Sequence, residues 1–301
     1  MDKKIITFDI GGTNIKYGMA DKKGNICYKG KYPTPKKLDD FLNSIKKVVD
    51  SLKIKIDESK IDGIAMSVPG AVNNNTGIIE GASAVPYIHH CNMRELITKA
   101  TGFKVSFEND ANCAALAEVW KGAGKDIDDA LFVICGTGIG GSIIKNKKIH
   151  TGKNLYGGEF GYMIMDRDFE TGKFKNWSET SSTSSIVRNA ARLMGISPRD
   201  LNGVRVFQLA EEGNKYCIKA IETFYQNFAT GLYTLQYIYD PEVIIIGGAI
   251  SEREDLIDKI NEKLEFLKAH IDITTILPTI KKCEYGNDAN LIGAVYNYIL
   301  N

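Results

Sequence analysis

Asp110 stands in the run Phe107-Glu-Asn-Asp-Ala-Asn112, where a strand pattern gives way to a helical one. A carboxylate at such a strand end can accept a proton from an alcohol as the alcohol attacks phosphorus. Asp or Asn at a helix start is also an ordinary N-cap, which by itself accounts for Asn109 or Asp110. Glu108, Asn109, Asp110 and Asn112 together exceed what one cap needs. Two more acids sit in distinctive surroundings: Glu159 in Gly157-Gly-Glu-Phe-Gly161, and Glu179 in Trp177-Ser-Glu-Thr-Ser-Ser182. Taken singly, Glu159 reads as a loop acid between flexible glycines. Glu179 reads as a first-turn acid that the helix dipole favours. Three acids from separate segments could also fix several hydroxyls of a sugar.

Two glycine-rich turns point to an anion. Asp9-Ile-Gly-Gly-Thr-Asn-Ile-Lys-Tyr-Gly18 predicts a strand ending at Asp9, a reversal at Gly11-Gly12-Thr13 and a second strand leaving. Glycine there lets backbone N–H groups approach an anion with no Cβ in the way. Thr13 adds a hydroxyl donor, and Asp9 could order a hydrated magnesium ion beside phosphate. This is not a Walker A loop, because no Gly-Lys-Ser/Thr follows and no helix opens there. An ordinary hairpin turn fits the segment too.

Cys135-Gly-Thr-Gly-Ile-Gly-Gly141 contains Gly136-x-Gly138-x-x-Gly141, the spacing of the dinucleotide fingerprint. That fingerprint needs a helix at its last glycine. Ser142-Ile-Ile-Lys145 is instead β-rich and turned at Asn146-Lys147, so hydride transfer is excluded. Strand, glycine turn, strand thus recurs, and two such turns could grip opposite sides of one polyphosphate. Ile246-Gly247-Gly248-Ala249 closes an apolar strand before a helix. Nucleotides are held at such places in α/β proteins, and plain connecting loops occur there as well.

The chain that must position these groups has 301 residues. At about 150 residues per domain that suggests two domains. Lys plus Arg number 38 and Asp plus Glu 37, which leaves no whole-chain basic footprint for nucleic acid. The longest uncharged apolar run, Val243 to Ile250, is far short of the roughly 18 residues a membrane helix needs. No secretory signal pattern opens the chain. Cysteines 27, 91, 113, 135, 217 and 283 lie far apart, which fits reduced thiols in the cytoplasm better than disulfides or a structural zinc site.

Strands are predicted over Lys4–Ile10, Ile15–Ala20 and Asn25–Tyr32, then a helix over Leu38–Leu52, a buried strand over Ile61–Val68 and a helix over Asn92–Ala100. A strand over Val105–Phe107 and a helix over Ala111–Trp120 follow, and Lys121–Asp129 reads as a joint. The theme then repeats with strands at Ala130–Cys135, Gly141–Lys145 and Lys148–His150. Helices are predicted at Ser178–Met194, Val204–Glu211 and Lys215–Tyr239, the last stopped by Asp240-Pro241. Val243–Ile246 reads as an apolar strand, Glu254–His270 as a helix, Thr274–Cys283 as mostly extended, and Asn287–Leu300 as a final helix. Three strands followed by alternating helix and strand, twice over, predict two α/β domains with a cleft between them.

In series, these segments resemble the ROK family (repressors, open reading frames and sugar kinases) of the actin/hexokinase superfamily. The resemblance is carried by Asp9-Ile-Gly-Gly-Thr, Ser67-Val-Pro-Gly-Ala-Val, Glu108-Asn-Asp-Ala-Asn with Ala114-Ala-Leu-Ala-Glu118, and Gly136-Thr-Gly-Ile-Gly-Gly. Gly157-Gly-Glu-Phe-Gly, Ile246-Gly-Gly-Ala-Ile-Ser and Gly286-Asn-Asp-Ala-Asn-Leu-Ile-Gly-Ala continue it in family order over nearly the whole chain. It implies two ribonuclease H-like domains closing over ATP and a hexose. Residues 1–120 would form the smaller domain, joined by the C-terminal helix 287–301, and residues 121–286 the larger. It makes Asp110 the base that deprotonates the 6-hydroxyl of the sugar. Gly11, Gly12, Thr13, Thr137 and Gly138 then fall on the ATP phosphates, with Asp9 at magnesium-bound water and Gly247 and Gly248 near the adenosine. Gly70, Asn109, Asp110, Glu159 and Glu179 fall at sugar-contacting positions.

Departures from the family pattern sharpen the expectation. Tyr162 stands where many family kinases carry a zinc-binding His, and Asp166 to Ser178 contains no cysteine, so no zinc is expected. Ala84-Val85 replaces the usual Asn-Leu of the substrate loop. This zinc-less pattern, with Ala-Val-Pro-Tyr-Ile, is similar to β-glucoside kinases, so a β-glucoside or glucose is the favoured acceptor. An N-acetylmannosamine or fructose kinase, or a non-catalytic sugar-binding protein, are the alternatives. The family's repressors carry a DNA-binding module ahead of the first glycine turn, and only eight residues precede Asp9 here. The resulting expectation is a cytoplasmic, ATP- and magnesium-using sugar kinase without nucleic-acid or membrane partners, and by family analogy a homodimer.

Overall fold

The computed structural model of the protein describes residues 3–167, 169–286 and 288–301. The chain divides into two compact units. One comprises the residues up to Lys125 together with Thr151–Tyr156 and Tyr285–Asn301; the other comprises Asp126–His150 and Gly157–Glu284.

The first unit is built on β1 (Lys4–Ile10), β2 (Asn14–Ala20), β3 (Ile26–Pro33), α1 (Leu38–Lys53) and β4 (Ile61–Val68). A small hairpin, β5 (Ala71–Asn73) and β6 (Ile78–Glu80), precedes α2 (Met93–Thr101), β7 (Val105–Asn109) and α3 (Asp110–Lys121). Its main sheet has the order β3-β2-β1-β4-β7, with β1, β2 and β3 antiparallel and β4 and β7 parallel to β1. Strand alternation divides the side chains of β1 between two cores. Ile6, Phe8 and Ile10 meet Phe41, Ile45 and Val49 of α1, while Ile5 meets Val295 and Tyr298 of the C-terminal helix (Ala289–Leu300). That explains why β1 is buried on both faces and reads as nearly unbroken apolar sequence.

The second unit repeats the plan. It contains β8 (Ala130–Cys135), β9 (Ile139–Lys145), β10 (Lys148–Ile149), a hairpin of β11 (Ile164–Arg167) and β12 (Phe174–Asn176), α4 (Trp177–Ser181), α5 (Thr183–Met194), α6 (Gly203–Glu211) and α7 (Lys215–Tyr239). β13 (Val243–Gly247), α8 (Leu256–His270) and β14 (Ile280–Lys282) complete it. Its sheet order, β10-β9-β8-β13-β14, has the same senses as the first: three antiparallel strands, then two parallel ones. Each unit therefore has the mixed ribonuclease H-like sheet. α7 runs through the core, where Trp177 stacks on Phe228 with ring centroids 5.4 Å apart. It ends with Asp240 in the left-handed conformation (φ 52°) directly before Pro241.

Four expectations need correction. The helix expected over Ser178–Met194 is two helices, broken at Ser182, whose backbone is extended (φ −90°, ψ 166°) and whose side chain caps α5 by accepting from the N–H of Ser185. Thr183, the first residue of α5, donates its N–H to Gly136 O rather than back to α4, which fixes where α5 starts. Of Thr274–Cys283 only Ile280–Lys282 joins the sheet. α8 starts at Leu256, after a 3₁₀ turn at Ala249–Glu252. The hairpins β5–β6 and β11–β12 were not expected, since three- or four-residue strands carry too little alternation to be read. Asn287, the expected start of the last helix, lies outside the described residues. Among the described residues no helix is long and apolar enough to cross a membrane.

Candidate active site

The junction of β7 and α3 divides its polar work among neighbours. Asn109 caps the helix, its Oδ1 accepting from the N–H groups of Ala111 (2.9 Å) and Asn112 (3.2 Å). Its Nδ2 donates to Gly70 O (2.9 Å), which ties the helix start to the turn leading into β5. Gly70 has φ +109°, and a Cβ there would meet Glu80 O and the His89 ring at 2.8 Å, so only glycine fits. Glu108 is buried, and its Oε1 accepts from Asn109 N–H and Asn112 Nδ2. Asp110 is thereby relieved of the cap and lies at the surface, Oδ1 accepting from the N–H of Ala111 (2.9 Å).

Two outcomes follow. Asn109→Ala removes the cap and the Gly70 anchor together, and should cost about 1–2 kcal/mol in denaturant unfolding while lowering turnover through a displaced Asp110. Burial raises the pKa of the Glu108 carboxyl above its ordinary value. The folded state then holds that proton more tightly than the unfolded chain, so stability is fully present below the ordinary carboxyl range and declines as pH rises above it. Glu108→Gln should abolish that decline, which urea titrations at several pH values would read.

At the same end of the sheet, two strands across from Glu108, the Asp9 carboxylate near the end of β1 is buried. Its Oδ1 accepts from Ser67 Oγ (3.1 Å) on β4 and from Asn290 Nδ2 (3.0 Å) on the C-terminal helix. Lys16 Nζ lies 3.8 Å from its Oδ2. The turn Gly11-Gly12-Thr13 is closed by Gly11 N–H to Asn14 O and held by Thr34, which donates its side chain to Gly11 O and its N–H to Thr13 O. Among the described residues the N–H groups of Gly12 and Thr13 have no partner, which leaves two exposed donors side by side. Ala84 of the expected substrate loop packs where a Gly12 Cβ would be, 2.6 Å from its methyl.

In the second unit the turn at Gly136-Thr137-Gly138 is closed by Gly136 N–H to Gly138 O (2.9 Å). Gly136 O accepts both from Thr183 N–H (2.8 Å) and from Thr183 Oγ1 (2.6 Å), which fastens the start of α5 to the turn. Ser178 Oγ accepts from Ile139 N–H and donates to Ile139 O, fastening α4 beside it. Thr137 is exposed. Gly141, the last glycine of the sequence pattern, serves packing instead, because a Cβ there would strike Phe132 O and the Phe160 ring.

The glycines around Glu159 are not flexible spacers. A Cβ on Gly158 would meet Gly141 O at 2.7 Å and one on Gly161 would meet Ile139 O at 2.1 Å, so this loop is pressed onto β9. Glu159 lies at the surface, yet partial burial of its carboxyl raises its pKa. Glu179 forms a capping box with Asn176, Oε2 accepting from Asn176 N–H and its own N–H donating to Asn176 Oδ1, both at 2.9 Å. One of its carboxylate oxygens therefore has a structural duty. Tyr162 is exposed, three residues past Glu159. Burial holds the Cys135 thiol up at about 12 and that of Cys113 well above its ordinary value, so neither supplies a thiolate nucleophile. Among the described residues no group of three or more His, Cys, Asp or Glu is arranged to hold a metal ion.

Gly247 and Gly248 end β13, with Gly248 (φ +87°) lying against the Cys135 backbone. Directly beyond them opens a cavity of about 1210 Å³, walled by the start of α5, by α6 and by residues 249–255. Its ionisable lining, Glu211, Glu252, Glu254 and Asp255 against Arg205 and Arg253, carries more negative than positive charge. Such a wall suits an uncharged nucleoside better than phosphate.

The ROK family model matches residues 5–299. The chain belongs to the ROK family. The β-glucoside kinase of Listeria innocua serovar 6a is 35% identical over 300 residues, covering 98% of this chain and 97% of that protein. The β-glucoside kinase of Klebsiella pneumoniae is 31% identical, covering 98% and 96%. A ROK family protein from Streptococcus pneumoniae TIGR4, solved in complex with sucrose, is 40% identical with a TM-score of 0.87 over 99% of this chain and 98% of that one.

Within this ROK chain the structure adds residues that sequence reasoning did not single out: Ser67 and Asn290 on Asp9, and Ser178 and Thr183 on the second glycine turn. The hydroxyl run from Ser178 to Ser185 was the available signal for the second pair.

Proposed function

We propose that this ROK sugar kinase transfers the γ-phosphate of ATP to the 6-hydroxyl of a hexose or hexoside, with a β-glucoside or glucose as acceptor. The observation that carries the reading is the division of labour at residues 107–112. Asn109 supplies the helix cap, and Asp110, a surface carboxylate whose Oδ1 accepts from the N–H of Ala111, stands at the strand end beside it. In this reading Asp110 takes the hydroxyl proton, and Gly70, Asn109, Glu159 and Glu179 meet the sugar, Glu179 through the oxygen its capping box leaves over. Gly11, Gly12, Thr13, Thr137 and Gly138 present N–H and hydroxyl donors to the phosphates, and the cavity beyond Gly247 and Gly248 receives the nucleoside. Phosphoryl transfer asks mainly for such positioning and charge stabilisation.

Magnesium fits the donor set. Asp9 keeps Oδ1 occupied by two neutral donors, and its second oxygen, which has Lys16 Nζ 3.8 Å away, would hold a metal-bound water, the way this ion is commonly kept beside phosphates. When bound, the ion would neutralise charge on the phosphate oxygens. The kinase is proposed to work without structural zinc and as a cytoplasmic homodimer. Support for a glycoside acceptor comes from the two β-glucoside kinases above and from the sucrose-bound relative, which holds a disaccharide. A coupled ADP-release assay over glucose, N-acetylmannosamine, fructose, cellobiose and arbutin tests it. Turnover of cellobiose or arbutin is expected, and turnover of free glucose with none of either glycoside would remove the β-glucoside assignment. No ADP release with any of these sugars would leave the non-catalytic reading.

A further inference from the structure

The cavity beyond Gly248 is lined by a fixed cluster of one cation, one carboxylate and one aromatic ring. Asp255 occupies the N-cap position of α8, a 15-residue helix, but makes no side-chain cap. Its carboxylate is spent on Arg253, accepting from Nε at 2.8 Å and from Nη2 at 2.9 Å in a two-pronged pair. An N-cap Asp ordinarily stabilises its helix by accepting a backbone N–H, a role this one does not fill. The guanidinium of Arg253 also lies 3.9 Å from the centroid of the Phe207 ring on α6. Fork and ring together restrict the plane of a side chain that otherwise has wide rotamer freedom. Arg253, Phe207 and Asp255 all line the cavity, and Arg253 is only half-buried.

A fixed, planar, delocalised cation at the wall of a cavity is a surface on which a purine can stack. The negative balance of the surrounding side chains argues against Arg253 being a phosphate ligand, because its charge is already matched by Asp255. We infer that Arg253, held by Asp255 against Phe207, is the stacking shelf for the nucleobase and so a residue that selects nucleoside triphosphates over base-free polyphosphate donors. The inference rests on the reading of this cavity as the nucleoside site.

The test is equilibrium binding of two probes, ADP and inorganic tripolyphosphate, by calorimetry on the full chain. Arg253→Ala should weaken ADP about tenfold and leave tripolyphosphate unchanged. Arg253→Lys should weaken ADP nearly as much, since an ammonium keeps the charge but neither the plane nor the fork. Phe207→Leu, which keeps an apolar α6 face, gives the same comparison if the arginine variants do not fold. Equal weakening of both probes would make Arg253 a phosphate ligand, and unchanged ADP binding would make it structural; either overturns the inference. Wild-type protein that binds neither probe would instead sink the kinase reading itself.

Discussion

Asp110→Asn should lower turnover by roughly 10²–10⁴-fold at saturating ATP and sugar, the range spanned by loss of a general base. Folding should be nearly untouched. The helix start is capped by Asn109, and an Asn at position 110 can still accept the N–H of Ala111 through its amide oxygen. KM for the sugar should change little, because the amide keeps an acceptor in place while losing the ability to hold the transferred proton. The ADP-release assay and a thermal melt on the same preparation check both halves. Turnover near that of the wild type would show that the proton leaves by another route.

The second large effect concerns Gly293, at the crossing of the C-terminal helix and α3. A Cβ at this position would lie 1.7 Å from Cys113 O and 2.4 Å from its carbonyl carbon. Helix propensity alone favours Ala over Gly by about 1 kcal/mol. Overpacking against backbone opposes it with about 1–3 kcal/mol or more, and a carbonyl in the middle of a helix has no rotamer by which to retreat. The steric effect should win by roughly 2 kcal/mol for Gly293→Ala, lowering Tm by about 4–8 °C. Activity should fall with it, because α3 begins at Asp110 and the C-terminal helix carries Asn290, the partner of Asp9. Gly140→Ala is the control: nothing lies within 4 Å of its Cβ position, so its stability should stay within about 0.5 kcal/mol of the wild type. A Gly293→Ala protein melting with the wild type would contradict so close a helix crossing.

Elements announced by local chemistry were legible before any coordinates. β1 and β2 are joined at Gly11-Gly12, and α7 begins after Asn214, whose side chain caps it, and stops at Asp240-Pro241. The repeat of three strands followed by alternating helix and strand could be read because the longer strands, such as β1, β4, β8 and β13, carry distinct alternation or apolar runs, whereas β14, of three residues, was blurred into a longer extended segment. The residues proposed to act at the site were named from short motifs, since anions and hydroxyls demand particular side chains at particular turns.

What escaped was whatever depends on partners remote in the chain. The start of α5 is fixed by Gly136, 47 residues before Thr183, and Asn290 reaches Asp9 across 281 residues. The glycines flanking Glu159 looked mobile and are instead wedged against β9. Arg253 and Phe207 meet across a cavity whose walls come from three separate segments. Propensity and periodicity act over a turn or a strand, so they name the pieces and their reactive residues. Packing density and the need to satisfy every buried donor act over the whole unit, and these alone set which pieces touch and which carboxylates come to the surface.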